Sequence, residues 1–250
     1  MLKALLIGAS GKMGGFITDC AANDSEIEIS AGFDKVNIGQ KYPVFSSFND
    51  INVKPDVIID FSNVSLLDGI LDYAVKNKIP AVLATTGYSD EQIAKIKKSA
   101  EIVPIFFTFN MSIGVNLLCS LAKKAAAVLG TDFDVEIIEK HHNLKVDAPS
   151  GTAIMLANAV NEQFGDSYNY EYDRHSKRAK RPKNEIGIHS VRGGNIVGEH
   201  EVIFAGENET ITLSHQAFSK SVFAFGAVKA AKFLSGKSAG MYDMNGLISE

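Results

Sequence analysis

A short apolar run at Leu2–Ile7 (LKALLI) stops at the turn GASGKMG, residues 8–14, and a helical pattern begins at about Met13. A strand, a glycine turn and a helix in that order predict a buried strand of a parallel sheet whose helix crosses back over it. The rhythm repeats. Glu28–Phe33 (EISAGF) reads as a second strand ending at Asp34-Lys35, and DVIIDFS at 56–62 reads as a third after Pro55. Ser65–Asn77 is an amphipathic helix, AVLATTG after Pro80 a fourth strand with its turn, Asp90–Ser99 a helix and Val103–Thr108 a fifth strand. Strands alternating with helices of this length predict an α/β domain built on a parallel sheet with right-handed crossovers.

After about residue 110 the pattern changes. Ile113–Leu129 is a long apolar helix, Phe133–Lys140 (FDVEIIEK) alternates with the period of a half-buried strand, and Ser150–Phe164 is helical. Three strand-like runs follow in residues 185–214: EIGIHSVR, GEHEVIFA and ETITLSH. Gly193-Gly194 and Glu207-Asn208 between them read as hairpin turns. Ser221–Leu234 returns to a helix of small apolar residues. The chain therefore divides into a dinucleotide-binding type domain of residues 1–110 and 216–250 and an inserted α+β domain of residues 111–215.

Composition narrows the function. The chain has 250 residues, enough for one to two domains, with 46% apolar and 22% charged residues. That excludes disordered, collagen-like and disulfide-scaffold proteins. A net charge of −4 argues against non-specific nucleic-acid binding, which needs a positive field to displace counterions. The biased stretch Arg174–Lys183, with six Lys or Arg in ten positions, reads as a solvated loop, its alternative being an arm that contacts phosphate or nucleic acid. Cys20 and Cys119 have no local pairing, which fits a reduced, cytoplasmic protein. Gly8, Ser10, Gly11, Lys12 and Gly14 interrupt the first apolar run too early for a signal sequence, and no later apolar run approaches the ~18 residues of a membrane span.

The glycine turn carries chemistry. Gly8 allows the tight turn, Gly11 lets a pyrophosphate approach N–H groups at the helix start, and Gly14 lets the helix pack close to the strand. The spacing GxxGxxG is a weak signal alone. Asp34 strengthens it, lying 20 residues beyond Gly14 at the end of the second strand, where a carboxylate accepts from ribose hydroxyls. Lys35 adds a cation for a 2′-phosphate, so the pair suggests tolerance of both NADH and NADPH; the plainer alternative is an ordinary loop cap. Thr85, Thr86 and Gly87 end another strand of the same sheet, where a nicotinamide would lie.

The segment EKHHNLKVDAPSGTA, 139–153, leaves a strand and enters a helix. Ser150 can cap that helix, leaving first-turn N–H groups at Gly151 and Thr152. Those groups, the Thr152 hydroxyl and the Lys145 ammonium suit a carboxylate. His141 can carry a proton near neutral pH. Hydride transfer into a conjugated C=N system puts negative charge on nitrogen, which an acid must neutralise. A nicotinamide site, a carboxylate anchor and a proton donor together indicate a reductase of an acidic imine. Both histidines with Glu139 and Asp147 offer a metal set, but adjacent histidines on a strand point opposite ways and neither HxxxH nor HExxH occurs, so no metal is expected. Surface histidines in a loop, another imino- or amino-acid oxidoreductase, and a cofactor-binding sensor without turnover are the competing readings.

At these residues the chain resembles the 4-hydroxy-tetrahydrodipicolinate reductase family, formerly dihydrodipicolinate reductase, of bacterial lysine biosynthesis. EKHHNLKVDAPSGTA is similar to the family signature, GASGKMG to its GxxGxMG, ATTGY at 84–88 to its GTTGF, and FNMSIGVN at 109–116 to its ANFSxGVN. HSVRGGNIVGEHEV at 189–202 and LSGKSAGMYDM at 234–244 also match. The resemblance implies a Rossmann domain plus a substrate-binding and oligomerisation domain whose open mixed sheet packs in a homotetramer. It implies His141 as proton donor and Lys145 as catalytic lysine, with His142, Gly151 and Thr152 on the substrate carboxylate. Cofactor positions fall on Gly8, Ala9, Ser10, Gly11, Lys12, Met13, Asp34, Lys35, Ala84, Thr85, Thr86, Thr108, Phe109, Asn110 and Met111. The implied cofactor is NADH or NADPH and the implied partner a small dicarboxylate. The sequence departs from the family at Ala84, where glycine is common, at Met111, where phenylalanine is common, and at Asp34-Lys35, which replaces a Glu-Arg of some members. Lysine lacks arginine's planar grip on a phosphate, so the preference between the two cofactors stays open at this stage.

Overall fold

In the computed structural model, which describes residues 1–249, the chain forms two compact units. One comprises Met1–Ile113 with the segment from Lys220 onward, the other Gly114–Ser219. The first unit opens with β1 (Leu2–Ile7), α1 (Lys12–Ala22), β2 (Ile27–Phe33), β3 (Val44–Phe45) and β4 (Val57–Asp60). It continues through α2 (Leu67–Asn77), β5 (Ala81–Leu83), α3 (Asp90–Ala100) and β6 (Pro104–Phe107). Then follow α4 (Ile113–Leu129), β7 (Asp134–His141), α5 (Gly151–Asn161), β8 (Asn169–Glu171), β9 (Glu185–Arg192), β10 (Gly198–Ala205) and β11 (Thr210–Ala217). The chain closes with α6 (Ser221–Leu234), β12 (Gly240–Tyr242) and α7 (Met244–Ile248).

The first unit is a seven-stranded parallel sheet in the order β12-β6-β5-β4-β1-β2-β3. LKALLI reads as a continuous apolar run because both faces of its strand are covered. Ala4 and Leu6 face a core shared with Ile17 of α1 and Ala227 and Ala231 of α6. Leu5 and Ile7 face another with Leu67 and Ile70 of α2 and Ile96 of α3. β4 alternates likewise, Val57 and Ile59 on the first face and Ile58 on the second. The strand order reverses between β1 and β4, which opens a crevice at their carboxyl ends.

The second unit is a mixed sheet in the order β11-β10-β7-β9-β8. One face carries Val135, Ile137, Ile186, Ile188, Val202 and Phe204, packed under α4 and α5. The other is polar along β7 and β10, where Lys140 bonds Glu199 and Glu201 at 3.1 and 3.0 Å.

Two sequence expectations change here. Gly193-Gly194 is not a hairpin turn. β9 runs parallel and β10 antiparallel to β7, which lies between them, because the earlier strand already holds the slot where a hairpin would close. The glycine loop instead crosses the end of β7, with Gly193 N–H on the His141 carbonyl at 3.0 Å and Asn143 N–H on the Gly194 carbonyl at 3.2 Å. Glu207-Asn208 does join an antiparallel pair, β10 and β11. Second, Ile113–Asp132 is long and apolar enough to cross a membrane by length and composition, with a mean hydropathy of 1.4 over 20 residues. Lys123 and Lys124 divide it, so it does not read as one apolar run in the sequence. Its Leu118, Ala122 and Ala126 lie in the core of the second unit. The basic stretch is a mostly exposed loop, as expected, in which several cations have partners. Arg174 pairs with Glu185 and Lys177 with Glu171, while Arg181 bonds Glu136 at 2.9 Å and Asp134 at 2.8 Å.

Candidate active site

The residues expected to hold a dinucleotide lie at carboxyl ends of strands in the first unit. Gly8 follows β1 with φ +83, and a Cβ there would stand 2.4 Å from the Phe61 carbonyl oxygen. A Cβ on Gly14 would meet the Gly8 carbonyl oxygen at 2.4 Å. Both positions therefore require glycine, one for backbone conformation and one for close packing of helix on turn. Gly11 caps α1 without a side-chain cap, and no acidic residue sits in the first turn. The helix start thus offers N–H groups and a positive dipole end to an anion. This fits a pyrophosphate, which Gly8, Ala9, Ser10, Gly11, Lys12 and Met13 would surround.

Asp34 follows β2 and reaches back to this turn. Its carboxylate accepts from the Ser10 N–H at 2.9 Å and the Lys35 N–H at 2.7 Å. The Ser10 hydroxyl donates to the Val36 carbonyl, and the Gln40 amide donates to Ser10 Oγ at 2.9 Å. The Lys35 side chain stays exposed. Ala84 and Thr85 are buried after β5, whereas Thr86 is exposed. After β6 the chain folds on itself, with the Thr108 hydroxyl donating to the Asn110 carbonyl at 3.2 Å and the Ser112 N–H on Asn110 Oδ1 at 2.9 Å. Phe109 is exposed, while Met111 is buried beneath α6, where a Cβ on Gly226 would overlap the Met111 carbonyl oxygen. The Met111 side chain therefore serves the core, and only backbone contacts are open to a ligand there.

The second group is built where β7 runs into α5. The period of a strand puts Val135, Ile137, Glu139 and His141 on one buried face. Glu139 is fully buried and needs partners. It accepts from His141 Nδ1 at 2.6 Å, from the Arg192 guanidinium at 2.7 and 2.8 Å, and from the Ser150 N–H at 3.0 Å. Ser150 caps α5, its Oγ accepting from the Ala153 N–H at 3.1 Å. Arg192 also donates to the Asp147 carbonyl at 2.6 Å, tying the loop to the end of β9. The Lys145 ammonium bonds Asp147 at 2.9 Å, and a Cβ on Gly151 would meet nothing within 4 Å. An open helix start and an ammonium held by an exposed carboxylate suit an incoming anion. Exposed ion pairs contribute only ~0–1 kcal/mol, so a substrate carboxylate can take Lys145 over at little cost.

Charge in this cluster is divided unevenly. Burial opposes ionisation of Glu139, but Arg192, His141, Ser190 and the Ser150 N–H overcome it and hold the carboxyl at about 2. His141 is pulled below its ordinary value, chiefly by burial; Glu139 resists this, while Lys145 and Arg192 add to it. The pair therefore rests as a carboxylate shared by Arg192 and a neutral imidazole. With Nδ1–H given to Glu139, Nε2 is the face that exchanges a proton. His200 stands with its ring 5.1 Å from that of His141 and its Nε2 3.2 Å from Ser150 Oγ. Burial and the neighbouring His141 push His200 down to about 3, so it packs the site as a neutral ring.

His141, His142, Lys145, Gly151 and Thr152 thus share one strand-to-helix connection, and His142 receives the Lys145 N–H on its carbonyl at 3.1 Å. Sequence reasoning missed Arg192 and His200 and considered Glu139 only as a metal ligand. The usable signal was the strand period, which puts Glu139 on an apolar face where it must have a cationic partner. Gln40 and Asp60 carried no local signal. Among the described residues no group of three or more His, Cys, Asp or Glu is placed to hold a metal ion.

A parallel sheet with a glycine turn at its switch point, followed by an α+β unit presenting a carboxylate-buttressed histidine, defines a nicotinamide-dinucleotide oxidoreductase of the Rossmann class. Family models for dihydrodipicolinate reductase match both parts, the N-terminal one over residues 2–111 and the C-terminal one over residues 114–248. The chain belongs to the dihydrodipicolinate reductase family. It is 48% identical over 250 residues to 4-hydroxy-tetrahydrodipicolinate reductase of Caldanaerobacter subterraneus subsp. tengcongensis, covering 100% of this chain and 99% of that one. It is 47% identical to the Clostridium tetani protein of the same name over 250 residues, covering 100% and 98%. Among solved structures, dipicolinate-bound dihydrodipicolinate reductase from Paenisporosarcina sp. TG-14 matches with a TM-score of 0.83 at 27% identity, covering 98% of this chain and 99% of that one. A myo-inositol dehydrogenase from Corynebacterium glutamicum matches with a TM-score of 0.60 at 16% identity, over 100% of this chain and 93% of that one, a likeness of fold alone.

Proposed function

We propose that the chain reduces 4-hydroxy-2,3,4,5-tetrahydrodipicolinate to 2,3,4,5-tetrahydrodipicolinate with NAD(P)H and loss of water, in the diaminopimelate route to lysine. One observation carries this reading: a histidine locked to a buried carboxylate shares a single connection with a helix start and a lysine whose one described ion pair is with an exposed aspartate. Family membership and the dipicolinate bound to the Paenisporosarcina enzyme support the ring dicarboxylate as substrate.

When bound, the cofactor supplies a hydride. The chain's own residues do the rest. Gly151, Thr152 and His142 hold a substrate carboxylate at the start of α5, and Lys145 leaves Asp147 to neutralise and polarise the ring acid. Elimination of water leaves a conjugated imine; once its ring carbon has taken a hydride, His141 would deliver the balancing proton on the nitrogen side through Nε2, and the enamine so formed tautomerises to the imine of the product. A neutral His141 gains proton affinity when a dianion settles beside it, so substrate binding itself loads the acid. Glu139 keeps Nδ1 protonated and stabilises the imidazolium; Arg192 keeps Glu139 ionised and in place.

On the cofactor side, Asp34 accepts from ribose hydroxyls and the exposed Lys35 ammonium faces a 2′-phosphate, so both NADH and NADPH serve. The residues of the turn Gly8–Met13, of Ala84–Thr86 and of Thr108–Met111 contact the cofactor. The unit formed by residues 1–110 and 216–250 binds the dinucleotide. The unit of residues 111–215 binds substrate and assembles a homotetramer through its open sheet face, and the enzyme works in the cytoplasm. Steady-state reduction of enzymatically made substrate, with NADH and NADPH compared side by side, tests the reading. Turnover with values of kcat/KM within about tenfold of each other is expected, since one lysine contact to a phosphate is worth roughly a factor of ten. No oxidation of either cofactor in the presence of substrate would remove the assignment.

A further inference from the structure

Asp60 ends β4 at the point where the strand order of the first sheet reverses. It is fully buried. Its Oδ1 accepts from the Ser62 N–H at 3.1 Å and from the Ser62 hydroxyl, and its Oδ2 accepts from the Tyr88 hydroxyl at 3.2 Å. Thr85 joins them, its Oγ1 accepting from the same Ser62 N–H at 3.0 Å; burial pushes the Asp60 carboxyl above its ordinary value, and the hydrogen bonds of Ser62, Thr85 and Tyr88 oppose that shift. All these partners are neutral. Burying a carboxyl among neutral groups costs several kcal/mol, and the alternation of β4 would accommodate an apolar residue on this face beside Ile58. Strand stability alone therefore does not account for an acid at this position.

Its partners show what it does. Ser62 belongs to the loop after β4, and Thr85 and Tyr88 to the loop after β5. The residue between Asp60 and Ser62, Phe61, lays its carbonyl oxygen where a Cβ on Gly8 would be 2.4 Å away, so this loop also abuts the glycine turn. One carboxylate thus sets the spacing of two loops at the mouth of the crevice between β1 and β4. In a doubly wound sheet the half containing β1 and β2 takes one nucleotide and the half beyond the switch point takes the other.

We propose that Asp60 is a positioning residue for the cofactor: its buried carboxylate holds the loops after β4 and β5 in the shape that receives the nicotinamide half of the dinucleotide. The inference rests on the reading of this unit as the NAD(P)H site. Asp60 does not touch the reacting atoms. It acts through Ser62, Thr85 and Tyr88. A second tie, the Gln92 amide donating to the Val64 carbonyl at 3.0 Å, keeps the same segments attached when Asp60 is replaced.

The test is NADH binding by cofactor fluorescence, combined with steady-state kinetics. Asp60→Ala removes every acceptor. Asp60→Asn keeps an oxygen for Ser62 and turns an amide toward Tyr88, whose hydroxyl can rotate to accept, so the template survives. Asp60→Ala is expected to raise the NADH Kd and KM by about tenfold to a hundredfold, the range for losing hydrogen bonds to a charged group. Its kcat at saturating NADH should change by less than about threefold, and Asp60→Asn should restore affinity to within about threefold of wild type. Binding of dipicolinate is expected to stay at the wild-type level, which separates a local effect from general unfolding. If Asp60→Ala does not fold, Ser62→Ala and Tyr88→Phe carry the test, each weakening NADH by roughly threefold to tenfold. Folded variants that all bind NADH like wild type would overturn the proposal. So would an equal loss in Asp60→Asn and Asp60→Ala, which would assign the effect to charge rather than to loop spacing. Failure of wild-type protein to bind NADH or NADPH would instead remove the underlying cofactor assignment, so the two failures are distinct.

Discussion

Glu139→Gln is the substitution whose consequences the structure specifies most fully. The carboxylate receives His141 Nδ1, two Arg192 nitrogens and the Ser150 N–H, with the Ser190 side chain adding to them. Glutamine keeps the shape but offers one oxygen, and its amide turns a donor toward a donor. Two losses follow. The first is stability. The carboxyl sits at about 2 against an ordinary 4.5, so ionised Glu139 contributes about 2.5 × 1.36, or roughly 3 kcal/mol. That agrees with the ~3–5 kcal/mol for breaking a buried ion pair. Because the folded value is depressed, this contribution is present above pH 4.5 and is lost as pH falls toward about 2. Wild type should lose it on acidification, whereas Glu139→Gln should lack it already at neutral pH and show a flatter acid limb. Urea unfolding followed from neutral to acid pH measures both. The second loss is catalytic. Without the carboxylate His141 has no fixed tautomer and no counter-charge as imidazolium, and kcat should fall by about 10²-fold or more, as for loss of a general acid. NADH affinity should not change. A variant with wild-type unfolding and kcat within about threefold of wild type would refute the reasoning, since neither loss could then be real.

Four further outcomes follow from the same geometry. His141→Gln should lower kcat by about 10²–10⁴-fold while leaving the NADH Kd unchanged, measured by steady-state kinetics and direct titration. Burial holds His141 below its ordinary 6.5, so the acid form of the free enzyme is lost early. The kcat/KM profile should fall as pH rises through a value below 6.5, and the corresponding limb of kcat should lie at higher pH because a bound dianion favours the imidazolium; flat profiles would contradict this. Lys145→Ala should damage both kcat and KM, by about 10²-fold in kcat/KM, without a measurable change in thermal unfolding, since among the described residues its ion pair is with exposed Asp147. Gly8→Ala should destabilise the protein by at least ~2 kcal/mol in thermal or urea unfolding, because it combines a φ of +83 with a Cβ 2.4 Å from a carbonyl oxygen.

Where sequence reading succeeded and failed has physical causes. LKALLI and FDVEIIEK were legible because a strand buried on two faces is continuously apolar and one buried on a single face alternates; the observed β1 and β7 have those burial patterns. Ser221–Leu234 was legible because its small residues recur at helical spacing, and they do let α6 approach α1 and the sheet closely. β3, β8 and β12 span two or three residues each and exist only because a partner strand is present; Met241 of β12 pairs with Ile105 of β6. The hairpin at Gly193-Gly194 failed because turn chemistry is local, while the occupant of the neighbouring slot, β7, is set by the whole sheet. For the candidate site, His141, Lys145, Gly151 and Thr152 could be proposed from sequence because they lie within one segment. The Glu139–Arg192 pair joins residues 53 positions apart and the Asp60–Tyr88 bond residues 28 apart, so each becomes visible only when the strands are placed side by side.

In the proposed reaction a hydride from the dihydronicotinamide enters the ring dicarboxylate while His141 supplies the proton. Turnover with cofactor deuterated at the transferring position, followed by mass analysis of the product, tests this most directly. One deuterium in each tetrahydrodipicolinate, formed by wild type at a rate that collapses in His141→Gln and Lys145→Ala although both still bind NADH, is the expected result. Product without deuterium, or variants that transfer it at the wild-type rate, would contradict the account.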